Sequence, residues 1–241
     1  MIIRFFHLRK TDIYLMVVAN VMMREEGMVT STEIKRRPVQ ARSQKTRTAI
    51  KDATHAVMRE KGVRAVTTNA VAAHSGIKVG SIYDYFPNKE AIIAEIYEEK
   101  LAQVRRFFEA GFETIAAEHW QSQLATVIRE TWAYQLSIGL DRTIVDAAYY
   151  YEALFPIAQQ HARLIASNYV RLLRRLGSCW APEQLFDLGI SLYTLVNANW
   201  SYWRLTSTND EIAIERQIAM TITLITPVLA ASECRISEVS G

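Results

Sequence analysis

Between residues 67 and 83 the sequence sets hydroxyl, cationic and glycine residues at spacings suited to holding a polyanion. Thr67 stands where a helix would begin, and a helix N-terminus presents free N–H groups that favour an anion such as phosphate. Gly80 has no side chain to keep the backbone away from a ligand. The Tyr83 phenol can donate to a phosphate oxygen, and contacts of this kind position a protein on nucleic acid without reading its sequence. Lys78, Val79 and Ser81 fall at the first turn of a short helix, where side chains reach base edges, and lysine to guanine is a common pairing. Charge agrees with that chemistry. Residues 35–89 hold twelve Lys/Arg against three acids, residues 90–241 hold twelve against eighteen, and residues 1–34 are neutral. The net charge of +3 therefore hides a cationic segment attached to an acidic body, a combination that points to nucleic acid.

The elements that must carry these residues are helical. Over 44–61, Ile50, Ala53 and Val57 recur at helical spacing, with Ser43 as a candidate cap and Gly62 as the stop. Thr67 or Thr68 caps a second helix that runs to about His74, with Val71 and Ala72 inward, and Ser75-Gly76 breaks it. A third, short helix over 79–85 follows the turn, which is helix-turn-helix spacing. Ile77, Ile82, Tyr85 and Phe86 form the expected small core of this head. Upstream, the polar and basic stretch 31–47 reads as a mobile arm. The apolar run 13–23 is too short to span a bilayer and no small-residue cleavage site follows it, and Met16, Met22, Met23 and Met28 are alternative starts.

The ordered set Ile50, Ala53, Gly62, Thr67, Val71-Ala72, Ser75-Gly76-Ile77, Gly80, Tyr83, Tyr85-Phe86 and Lys89 resembles the DNA-binding head of TetR-type bacterial transcriptional regulators over residues 47–92. The resemblance implies phosphate contacts from Thr67, Tyr83 and Lys89. Arg47, at the edge of the resembling segment, joins the DNA-binding set of Thr67, Lys78, Val79, Gly80, Ser81, Tyr83 and Lys89. One departure matters: Lys78 stands where the family carries a small hydroxyl residue that caps the recognition helix, and lysine cannot cap.

Beyond Pro87 the chain reads as helical throughout. Asn88 caps a long helix, with Glu90 in its first turn, expected to run to about residue 117. Segments 119–138, 141–153, 157–176, 182–206 and 210–231 follow, broken at Gly139, Pro156, Gly177-Ser178 and the 206–210 stretch. The fold class expected is all-α: an arm over 1–42, a head over 43–88, an effector-binding and dimerisation body over 89–232, and a tail over 233–241. The segments 182–206 and 210–231 are apolar on two sides, Leu185, Leu188, Leu192, Leu195 and Val196 against Phe186, Ile190, Tyr193 and Trp200, so one side needs a partner. The family resemblance implies a homodimer through these helices, reading an inverted-repeat operator in double-stranded DNA.

Trp132, Tyr150, Tyr151, Phe155, Asn197 and Trp200 are candidates to line a pocket for a small, largely apolar or aromatic effector. Tyr149, Tyr150 and Tyr151 point three ways around a helix, so they cannot all face one cavity. Arg129, Glu130, Arg142 and Glu152 are possible anchors or surface ion pairs. The five histidines, at 7, 55, 74, 119 and 161, lack metal-ligand spacing, and no G-x-S-x-G or phosphate loop occurs, so neither metal, cofactor nor enzymatic activity is expected. Two cysteines and no expected membrane span fit a cytoplasmic protein. Three readings remain: an effector-released repressor, a ligand-independent regulator or activator, and a helical interaction protein that docks through its basic head.

Overall fold

Helix caps and glycine turns divide the chain much as their local chemistry dictates. The computed structural model describes residues 41–140, 142–206 and 209–233. It contains α1 (Ala41–Lys61), α2 (Thr68–Ser75), α3 (Val79–Tyr83), α4 (Lys89–Glu113), α5 (Trp120–Ser137), α6 (Arg142–Ala147), α7 (Phe155–Arg175), α8 (Pro182–Thr206) and α9 (Asp210–Glu233), with no strand among the described residues. Short 3-10 turns occupy Val63–Ala65, Ala117–His119 and Glu152–Leu154. Thr67 caps α2 by accepting from the Ala70 N–H at 3.0 Å, and Asn88 caps α4 by accepting from Ala91 at 2.8 Å. Gly76 ends α2 in the left-handed conformation at φ +70°, which a side chain would strain.

Several boundaries differ from the sequence reading. Helix α1 already includes Ala41, so Ser43 lies inside it rather than capping it, and residues 41–47 belong to a helix rather than to an arm. The rest of the expected arm, residues 1–40, and the tail beyond 233 fall outside the described residues. Helix α3 closes at Tyr83, two residues early. Helix α4 stops at Glu113 instead of near 117, where the Thr114 N–H turns back to the Gly111 and Phe112 carbonyls. The 141–153 segment is helical only over Arg142–Ala147. Pro156 does not break the chain; it sits in the first turn of α7, where a missing N–H costs nothing.

Two hydrophobic clusters organise the described residues, which belong to one compact unit. The first joins Ile50, Val57, Met58, Val71, Ile82 and Phe86 of the head to Ile92, Ile96, Leu101 and Val104 of α4, and to Ile144 and Leu154. As expected, Ile82 and Phe86 are buried, while Ile77 and Tyr85 pack half-buried against them. The second cluster holds Phe108 and Phe112 of α4 with buried residues of α5, α7, α8 and α9. Helix α4 thus passes from one cluster to the other between Val104 and Phe108, and it packs on α1, α5, α6 and α7. Close approach of α7 and α8 depends on Gly189, where an added Cβ would lie 2.7 Å from the Ala166 backbone.

Candidate nucleic-acid interface

The turn from α2 to α3 presents an exposed surface built from the polar residues singled out above. Thr67 and Lys78 are exposed, and Tyr83 is 52% exposed, with its hydroxyl 3.3 Å from Thr68 Oγ1, so the start of α2 lies beside the end of α3. Lys78 occupies the N-cap position with extended backbone and makes no side-chain cap bond, so α3 simply begins at Val79 and the ammonium is left to solvent. Val79 and Ser81 are half-buried. Gly80 is exposed, and a Cβ added there would meet no protein atom within 4 Å. Glycine inside a helix costs roughly 0.5–1 kcal/mol relative to alanine, and no packing among the described residues requires it at position 80.

Two other cations of the head, Arg47 and Lys51, are turned inward. Arg47 donates from Nε to Glu95 Oε1 at 2.8 Å, pairs its terminal nitrogen with Glu95 Oε2, donates to the Tyr85 carbonyl at 3.1 Å, and lies 4.3 Å from the Phe86 ring centroid. The expected DNA contact at Arg47 is corrected accordingly: it fastens α1 to α4 and to the end of the head. Lys51, nearly buried, pairs with Glu95 at 3.2 Å and with Glu99. Burial alone would raise the Glu95 pKa, but the hydrogen bonds and charges of Arg47 and Lys51 outweigh it and hold the carboxyl below its usual range. The same pair raises the Arg47 pKa, chiefly through its hydrogen bond to Glu95. Lys89 opens α4 half-buried, its Nζ 5.6 Å from the Tyr151 ring centroid.

The expected effector residues do not converge. Trp132, buried, stacks on Trp200 at 4.3 Å between ring centroids, meets Trp203 edge-on at 5.8 Å, and donates from Nε1 to Gln217 Oε1 at 2.6 Å. Trp200 therefore faces the interior, against Trp132 and Trp203. Tyr150 is exposed under the Arg64 guanidinium, 4.6 Å from its ring centroid, and Tyr151 donates to the Val63 carbonyl at 3.2 Å. Both grip the head, so they are removed from a pocket set with Trp132 and Trp200. Phe155 is half-buried at the start of α7, and Asn197 Nδ2 donates to the Tyr193 carbonyl at 2.9 Å. Arg129 forms an exposed ion pair with Glu215, as the surface alternative anticipated, and the Arg142 side chain lies outside the described residues.

A polar cluster missed from the sequence lies where α4, α7 and α8 meet. Arg105 of α4 pairs with Glu98 at 2.7 Å and lies 3.2 Å from His161 Nδ1, and the His161 ring meets Tyr193 edge-on at 5.5 Å. Tyr149, just after α6, has its hydroxyl 3.3 Å from Ser201 Oγ. Burial lowers the His161 pKa to about 3, helped by the Arg105 charge, and pushes Tyr193 up to about 12. The sequence weighed His161 only as a metal ligand and Tyr193 only as an apolar face residue. The i, i+4 pair Tyr193 and Asn197 was the available signal. No group of three or more His, Cys, Asp or Glu that could hold a metal occurs among the described residues.

Residues 50–96 match the family model described as bacterial regulatory proteins, tetR family. Among solved structures, a transcriptional regulator from Pseudomonas aeruginosa PAO1 is similar over 80% of this chain and 94% of its own, at 20% identity and a TM-score of 0.62. A TetR-family regulator from Streptomyces coelicolor is similar over 76% and 99%, at 20% identity and a TM-score of 0.51. One from Legionella pneumophila is similar over 74% and 96%, at 16% identity and a TM-score of 0.55. No curated protein matches the chain. The fold is that of an all-α regulator with a helix-turn-helix head and a helical body.

Proposed function

Taking the tetR-family head over residues 50–96 as the premise, we propose that the protein is a sequence-specific DNA-binding transcriptional regulator, a repressor released from its operator by a small, largely apolar or aromatic effector. The observation that carries the reading is Gly80. An exposed helical glycine whose added Cβ would touch none of the described residues, close to Lys78 and Tyr83, suits a surface that a phosphate backbone approaches closely. Thr67, Tyr83 and Lys89 contact phosphates, while Lys78, Val79 and Ser81 face base edges.

Specificity from a five-residue helix requires two copies, and α8 and α9 supply the dimer face. Phe186, Ile190 and Leu195 lie outside both hydrophobic clusters, and Tyr202, Leu205 and Ile212 are exposed. Asp210–Ala230 is apolar and long enough to cross a membrane by composition alone, and with only 33% of that window buried inside the protein it suits a helix covered by a second copy. On this reading the protein works in the cytoplasm, on an inverted repeat.

Helix α4 links the head to the body, so an effector bound in the body that prefers the arrangement with separated heads shifts the population away from DNA. Gel shifts with the gene's own upstream DNA against scrambled DNA test the reading. Retarded native fragments and unaffected scrambled ones are expected, and equal binding to both favours a basic docking head instead. Adding aromatic compounds then separates an effector-released repressor from a ligand-independent regulator.

A further inference from the structure

Tyr151, between α6 and α7, meets the head at one point and the start of α4 at another. Its hydroxyl donates to the Val63 carbonyl at 3.2 Å, and the Lys89 ammonium lies over its ring, Nζ 5.6 Å from the centroid. The ring packs half-buried against the hydrophobic cluster that joins the head to α4, so it is fixed from both ends. Lys89 is out of keeping with its own position. It opens α4, where the helix dipole disfavours a cation; Glu90 suits that end and Lys89 does not. Among the described residues Lys89 forms no ion pair, whereas Arg47 and Lys51 are answered by Glu95 and Glu99. An aromatic face attracts an ammonium through its quadrupole but carries no negative charge, so Tyr151 holds Lys89 without neutralising it.

We propose that Tyr151 is a positioning residue for DNA binding, which pre-orders the Lys89 ammonium for a phosphate while leaving its full charge available. The proposal rests on the reading of Lys89 as a phosphate contact and names what sets its geometry. A lysine loose in solvent has large rotamer freedom, which a phosphate contact must remove at the moment of binding. With the ring beneath it, part of that freedom is already gone in the free protein, and more of the ion-pair energy appears as affinity. Lys78 supplies the contrast, since its side chain is exposed and caps nothing.

Tyr150 repeats the arrangement one residue earlier, with the Arg64 guanidinium 4.6 Å from its ring centroid. Two consecutive tyrosines thus each hold a cation of the family-matched segment 50–96. The strength of DNA binding therefore depends on a stretch of chain that lies outside that segment.

The test measures binding of the full-length protein to a labelled duplex from the gene's own upstream region, by fluorescence anisotropy across a salt series. Tyr151→Leu is expected to weaken binding about threefold to tenfold per protomer and to leave the slope of log affinity against log salt unchanged, since the charge stays. Lys89→Ala is expected to weaken binding and to reduce that slope by about 0.9 per protomer. In the Lys89→Ala background, Tyr151→Leu should then change nothing further. Tyr151→Phe keeps the ring and drops the bond to Val63, so it should melt lower than the parent yet bind DNA as the parent does. Equal losses from Tyr151→Leu with and without Lys89, or a loss in Tyr151→Phe as large as in Tyr151→Leu, would overturn the proposal and keep Lys89 as a phosphate contact. Lys89→Ala with affinity and slope unchanged would overturn that reading along with it. Carbon relaxation of the lysine ε-methylenes in the DNA-free parent needs no variant. Lys89 is expected to be more ordered than Lys78, and equal disorder would overturn the proposal.

Discussion

On the outer side of the head, Lys78 and Tyr83 stand in solvent beside a glycine that no packing among the described residues requires, whereas on the inner side Arg47 and Lys51 are spent on Glu95 and Glu99. Both sides contribute to the same excess of positive charge. Only one is free to meet a polyanion, because an ion pair with a neighbouring helix leaves little field for a partner. A basic segment is thus two surfaces, one that binds outward and one that fixes the head to α4, and counting charges does not separate them.

Substitutions can break that division. The largest effect is expected from Gly80→Glu, which sets a carboxylate where phosphates approach. Like-charge juxtaposition costs several kcal/mol, so DNA affinity measured by fluorescence anisotropy falls about a hundredfold or more. The melting temperature holds or rises, since an added Cβ meets no described atom within 4 Å and glutamate favours a helix over glycine. Next is Lys78→Ala, expected to lose about 1–3 kcal/mol on the preferred site and little on random DNA. Equal losses on both would make Lys78 a phosphate contact.

The inner side predicts the opposite pattern. Glu95→Gln should lower unfolding free energy by about 1–2 kcal/mol, as expected for charged hydrogen bonds in a partly exposed site, and should alter DNA affinity much less than Lys78→Ala does. Its pH dependence follows from the sign of the shift. A carboxyl held below its unfolded value, near 4.5, contributes stability that is complete above that pH and disappears as pH falls through the folded value. Urea titrations between neutral and acid pH should therefore show the parent protein losing its advantage over Glu95→Gln below about pH 4.5. The smallest effect is Tyr83→Phe, about threefold to tenfold on every DNA sequence alike, the worth of one hydroxyl contact.

What could be read from the sequence was local. The Thr67 and Asn88 caps, the Gly62 and Gly76 stops and the inward Ile82 and Phe86 follow from chemistry within a few residues. Arg47 could not be read that way, because its partner Glu95 lies 48 positions on and becomes a neighbour only when α1 packs on α4. The tyrosine triplet was read as pointing three ways, but the direction of each side chain depends on the turn that ends α6 at Ala147, and that turn sends Tyr150 and Tyr151 toward the head. His161 was weighed only as a metal ligand because Arg105 lies 56 positions back and becomes its neighbour only once α4 packs on α7.

The central claim is that two copies of the exposed α2–α3 surface read DNA sequence. Repeated selection of bound molecules from a random duplex pool, using the full-length protein, tests it most directly. Enrichment of an inverted repeat with half-sites about one helical turn apart, or a multiple of it, is the result expected. A pool that binds but stays random after several rounds would contradict the account.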